Sequence, residues 1–193
     1  MSGDEDAPKP DEDAGFRSQL IEIIPALRAF ARGLCGNRDL ADDLVQDAMM
    51  RAWAARDSYA PGTRFRAWMF MILRNHYYTT LRKSARLVSW DPEVAERILV
   101  AGPTQQDGLN VQDVQAALLK LPAEQREVLL LIGANGVSYE EAAEIMGCAI
   151  GTIKSRLARG RAALLVLVEG PSEEMEAAKP ASPRKGEPVT TAK

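Results

Sequence analysis

SYEEAAEIMGCAIGTIKSRLARGRAAL, residues Ser138 to Leu164, is the stretch that decides the fold. Ser138 followed three residues later by Glu141 forms a capping box, so a helix opens there and runs to about Met146. Gly147 turns the chain, and a longer basic helix follows from about Ala149 to Val168. A capped helix, a short Gly-containing turn and a second helix are the sequence form of a helix-turn-helix, whose second helix enters the major groove. At about 100° per residue, Leu157, Gly160 and Leu164 fall within about 40° of Ile153 and face a core. Gly151, Thr152, Ser155, Ala158 and Arg159 then point outward, with Lys154 and Arg156 on the flanks. Small polar groups flanked by cations suit groove entry, because bulk would block the approach and cations neutralise phosphates. A basic amphipathic helix that only faces solvent has no need of the cap and the turn.

Working back from this stretch, the chain reads as helix throughout. Val111, Val114, Leu118 and Leu121 mark one helix, and Pro122 sits well at the start of the next, which runs to about Ala134. Residues 109–170 therefore form one small helical domain. Residues 89–108, edged by Pro, Gly, Gln and Asp, read as a flexible linker. Before it lies a second domain, residues 14–88. Its first apolar stripe is Leu20, Ile23, Ile24, Leu27, Phe30, Ala31 and Leu34, where Pro25 should kink the segment or begin a fresh helix. Asp39 can cap the next helix, with Leu40, Leu44, Ala48 and Trp53 on one face. A third helix, about Arg64 to Arg86, places Phe65, Trp68, Met69, Ile72 and Tyr78 or Leu81 on a stripe. Residues 1–13 and the Pro-rich 171–193 read as disordered tails. The fold class is all-α: two small helical domains joined by a linker.

Composition narrows the chemistry. No apolar run of the 193 residues approaches the roughly 18 that a membrane span needs. Cys35 and Cys148 lie far apart and His76 is the single histidine, so neither a disulfide framework, a metal site nor a histidine-based triad is expected. The acidic N-terminus is not a secretory signal, and the chain reads as cytoplasmic. The net charge of −3 conceals segregation. Residues 1–13 hold six acids against Lys9, while Arg64–Trp90 and Gly147–Ala163 carry cations and no acid at all. Two acid-free basic stretches point to a polyanionic partner.

In RFRAWMFMILRNHYYTTLRK, Arg64 to Lys83, cations alternate with Phe65, Trp68, Phe70, Tyr77 and Tyr78. Single-stranded nucleic acid needs this mixture, since unstacked bases lie on rings while cations hold the backbone. Trp68, Phe65 and Ile72 are better placed as core. Arg74, Asn75, Tyr77, Tyr78, Arg82 and Lys83 are surface candidates. His76 has no partner cluster, so it reads as a surface or satisfied histidine. The acids Asp39, Asp42, Asp43 and Asp47 line the polar side of an amphipathic helix with no histidine or glycine loop beside them. A docking surface fits them better than a metal site or a catalytic pair.

DDLVQDAMMRAW, FRAWMFMILRN, a linker, LPAEQREVLLL and then the quoted stretch together resemble an extracytoplasmic-function (group IV) RNA polymerase sigma factor. The first block is similar to its sigma-2 domain and the second to its sigma-4 domain, over residues 15–168. LRAFARGLCGN and the PGT-x-FRAWMF-x-ILRN pattern resemble the EcfG-type, general-stress branch of alphaproteobacteria. That branch usually has Asn where Arg64 stands. The resemblance implies that Asp42, Asp43, Gln46 and Asp47 dock on the clamp helices of the largest subunit of core RNA polymerase. It implies minus-10 contacts from Arg64, Arg74, Asn75, Tyr78, Arg82 and Lys83, and minus-35 contacts from Thr152, Lys154, Ser155, Arg156 and Arg159. It further implies promoter DNA as ligand, no cofactor, no catalysis, and control by a small NepR-type anti-sigma factor. Such a partner would hold the two domains together, and polymerase would spread them. The competing reading is a stand-alone helix-turn-helix regulator, which has no use for an acidic docking helix. An enzyme would need a nucleophile, base and orienting group that the chain does not assemble.

Overall fold

The computed structural model describes residues 10–60, 64–88 and 111–169, with side chains described for 14–60, 64–84 and 113–169. The expected linker, the tail 171–193, residues 1–9 and the Pro61-Gly62 loop lie outside the described residues. Among those described, all regular structure is helical: α1 Pro10–Cys35, α2 Arg38–Ala54, α3 Phe65–Val88, α4 Val111–Lys120, α5 Ala123–Val128, α6 Tyr139–Met146 and α7 Ile150–Glu169. A short 3-10 turn, Arg56–Ser58, follows α2, and α5 widens into π-helix over Leu129–Ala134.

Three readings of α1 and α2 are corrected. The first helix begins at Pro10, inside the stretch assigned to a disordered tail. Proline suits a first helical turn, where its missing N–H has no intrahelical partner to lose. Pro25 neither ends α1 nor starts a new helix. It lies on the exposed side, while Ile23 and Leu27 on the opposite side are buried and hold both halves of the helix to the same neighbours. The cap of α2 is Asn37 and not Asp39: Asn37 Oδ1 accepts from the Leu40 amide at 2.9 Å.

In the first helical group α1, α2 and α3 pack around Leu27, Phe30, Leu34, Leu44, Phe70 and Leu73, all at most 2% exposed. Phe30 and Phe70 meet edge to face at 5.1 Å, the geometry favoured by ring quadrupoles. At one end Phe16, Tyr59, Phe65 and Trp68 form an aromatic cluster, with Phe16–Phe65 at 5.5 Å and Tyr59–Trp68 at 5.2 Å. Phe65 and Trp68 are thus packing groups. So are Phe70 and Tyr77, which the sequence left among the aromatics available to bases. Tyr77 is buried and donates to the Leu34 carbonyl at 3.2 Å.

The second group, α4 to α7, closes over Leu131, Val137, Ala142, Ile145, Ile153 and Leu157. Ser138 accepts from the Glu141 amide at 3.1 Å, and Glu141 accepts from the Ser138 amide at 3.0 Å, so the capping box is formed in both directions. Gly147 ends α6 in the left-handed region, φ 63° and ψ 41°, and aims α7. Nothing crowds a Cβ at this position, so Gly147→Val isolates the backbone cost. We expect a loss of about 1–2 kcal/mol, less for Gly147→Asn, read as a shift in the denaturant midpoint.

The two groups share one continuous buried cluster. α1 meets α4, α5 and the π turn, and α3 meets α6. Leu130 packs on Gly33 and Leu119 on Gly36. The two groups are thus in direct contact.

Candidate nucleic-acid interface

α7 presents what its phase requires. Ile153, Leu157 and Gly160 are buried, whereas Gly151, Lys154, Ser155, Ala158 and Arg159 are exposed. Thr152 is half-buried, and its carbonyl accepts from Ser155 Oγ at 3.0 Å. Arg159 Nε donates to the Ser155 carbonyl at 3.3 Å, and the Lys154 ammonium lies 6.0 Å from the Tyr139 ring centre. Arg156 differs from the expectation of a flanking groove contact. It turns back to Glu124 at 2.6 Å and to Cys148 Sγ at 3.6 Å, with its side chain 17% exposed. An acid one helix away, invisible in the local pattern, draws it in.

α3 is divided. Asn75, Arg82 and Lys83 are exposed, and Arg82 Nε donates to the Tyr78 carbonyl at 3.2 Å. Arg64, Arg74 and Tyr78 are instead engaged by the second helical group. Arg64 pairs with Glu144 at 3.1 Å, both partners half-exposed. Arg74 Nε donates to Glu127, which also accepts from Tyr78 OH at 3.1 Å. Arg66, assigned no role by the sequence, donates to the Asn135 carbonyl. The Asn135 side chain donates to the Leu130 carbonyl at 2.8 Å, so the widened π turn presents this acceptor.

Glu127 is fully buried. Burial pushes its carboxyl above the usual carboxylate range, with the Arg74 guanidinium and the Tyr78 hydroxyl opposing. Burial and the adjacent Glu127 push the Tyr78 phenol well above its ordinary value. The sequence reading passed over Glu127, although one signal was present. Its helical neighbours at three and four positions are Ala123, Glu124, Leu130 and Leu131, so no cation of its own helix can pair with it.

On α2, Asp43 and Gln46 are exposed, and Met50 lies 64% exposed one turn beyond them. Asp42 is held within the domain by Arg28 at 3.2 Å and Arg32 at 3.6 Å. Asp47 accepts from His76 Nε2 at 2.8 Å, while the buried Nδ1 of the same ring has no hydrogen-bond partner among the described residues. Among the described residues no group of acids, histidines or cysteines could hold a metal ion, and no helix is long and apolar enough to cross a membrane.

Two family descriptions match this arrangement: Sigma-70 region 2 over residues 21–87 and Sigma-70, region 4 over residues 112–164. The ECF RNA polymerase sigma factor EcfG of Rhodopseudomonas palustris is 47% identical over 153 residues, covering 79% of this chain and 84% of that one. The chain belongs to the extracytoplasmic-function sigma factors. It is thus a transcription-initiation factor with a DNA-binding helix-turn-helix, carried by α6 and α7. Among solved structures, the sigma factor RpoE of Bartonella quintana in complex with the anti-sigma factor NepR matches with a TM-score of 0.72 and 45% identity. The match covers 82% of this sigma factor and 99% of that chain. CnrH in complex with the cytosolic domain of CnrY matches with a TM-score of 0.61 and 30% identity, covering 83% and 91%.

Proposed function

We propose that this sigma factor directs core RNA polymerase to general-stress promoters and is restrained by a NepR-type anti-sigma factor. The observation that carries the reading is the outward face of α7, where exposed Lys154, Ser155 and Arg159 stand over a buried Ile153–Leu157 seam. The similarity to EcfG and to the NepR-bound RpoE supports the choice of branch and partner. In this reading Thr152, Lys154, Ser155 and Arg159 contact the minus-35 element, and Arg156 joins them on release from Glu124. Arg64, Arg74, Asn75, Tyr78, Arg82 and Lys83 handle the minus-10 element. The α2 face with Asp42, Asp43, Gln46 and Asp47 docks on the clamp helices of the largest polymerase subunit. The factor is cytoplasmic, performs no catalysis and takes no cofactor. Its working units are residues 14–88 and 109–170, joined by 89–108. The exposed acidic face of α2 favours this reading over a stand-alone regulator.

Run-off transcription with purified core polymerase on a promoter carrying a GGAAC-like minus-35 element tests the proposal. The wild-type chain is expected to initiate at that promoter. Arg159→Ala is expected to lower promoter affinity by about 1–3 kcal/mol and to relax specificity at one position. Transcription by Arg159→Ala equal to wild type shows that this face does not read DNA.

A further inference from the structure

Arg66 and Arg74 of α3, and Arg64 just before it, are already occupied by the second helical group. Arg64 is taken by Glu144, Arg66 by the Asn135 carbonyl and Arg74 by Glu127. All three contacts reach across more than fifty residues of sequence and across the segment that joins the groups. An arginine whose N–H groups point at a carboxylate cannot offer the same donors to a phosphate. We propose that the free chain latches itself shut: Glu127, Glu144, Leu119 and Leu130 of the second helical group seat on the first and withhold Arg64, Arg66 and Arg74 from nucleic acid. The inference rests on the α3 reading given under Proposed function.

Two features show an interface shaped for this contact. The first is the buried carboxylate. Glu127 has no exposure in the closed chain, and its charge is met by groups of the other domain, Arg74 and Tyr78. Removing one partner of a buried ion pair leaves an uncompensated charge, so this contact closes fully or opens. The Arg64–Glu144 pair is half-exposed and adds little strength, but it places a carboxylate where a phosphate would lie. The second feature is a pair of glycines. A Cβ at Gly33 would collide with Leu130, and one at Gly36 with Leu119. Gly36 also has φ 72°, which other residues adopt at a cost. α1 is therefore notched where the second group's leucines enter. Asn75, Arg82 and Lys83 stay exposed beside the latch, so a polyanion can first engage there and then compete for the covered arginines.

The test uses the full chain, without polymerase or anti-sigma factor, in two variants. Glu127→Ala with Glu144→Ala removes the acids of the latch. Leu119→Glu breaks the Gly36 contact and adds a negative charge, so any gain in polyanion binding it shows cannot come from added cation. Circular dichroism melts establish that each variant is folded. Small-angle scattering reports the separation of the groups, and a short fluorescent single-stranded oligodeoxynucleotide is titrated over a range of salt. Both variants are expected to extend. Both are expected to bind the oligonucleotide about tenfold more tightly, the gain for a chain closed about nine-tenths of the time. The salt slope should steepen by about 0.7 for each arginine released. Variants that remain as compact as wild type overturn the latch. Extension with unchanged affinity also overturns it, and Arg74→Ala in the Leu119→Glu background then separates two failures. If that substitution weakens binding, the α3 reading stands and only the inhibition is wrong. If it changes nothing, the α3 reading falls as well.

Discussion

Phe70→Ala is expected to lower stability by about 3–5 kcal/mol. Phe70 has no exposure and meets Phe30 edge to face at 5.1 Å, at the point where α1 and α3 cross. Truncation removes the ring's burial and leaves a cavity that two long helices, fixed by Leu27, Leu34 and Leu73 on either side, cannot collapse to fill. Against a total of about 5–15 kcal/mol for a domain, this loss leaves the first helical group marginal. Urea denaturation checks it, with a lowered midpoint at unchanged slope. The same substitution at exposed Ile21 is expected to cost less than about 0.5 kcal/mol. A Phe70→Ala midpoint equal to wild type would show that the Phe30 contact does not hold α3 to α1.

Asp43→Arg is expected to weaken binding to core polymerase by more than about tenfold without unfolding the chain, since a reversed charge in a complementary interface is repelled. Asp43 is exposed on the α2 face that also carries Gln46 and Met50. Adding Asp47→Arg deepens the loss but also breaks the contact with His76, so part of its effect arises inside the domain. Gel-filtration co-elution with core polymerase, beside a thermal melt, checks both variants. Retained co-elution of folded Asp43→Arg would remove α2 from the docking surface.

These two expectations draw on different levels of information. Asp43 was legible from the sequence because a helix periodicity assigns faces, and a polar residue on the polar face is exposed without reference to any other element. The role of Phe70 was not. It lies beside cations in a segment whose composition suits base stacking, and only the position of α1 shows that its ring is core. Tyr77 was misplaced for the same reason. Its hydroxyl is satisfied by the Leu34 carbonyl, a group forty-three residues away.

Local physics set what the sequence determined by itself. The Ser138–Glu141 box, the left-handed Gly147 and the buried phase of Ile153, Leu157 and Gly160 depend on neighbours within one or two helical turns. Fold class and the helix-turn-helix follow from them. Tertiary structure alone decided which cations are free. Arg156 is drawn to Glu124, Arg74 to Glu127, Arg64 to Glu144, and Gly33 and Gly36 are recesses only because Leu130 and Leu119 arrive there. Charge and small size can be read at a single position. Pairing and close approach belong to two positions at once, and folding chooses the second.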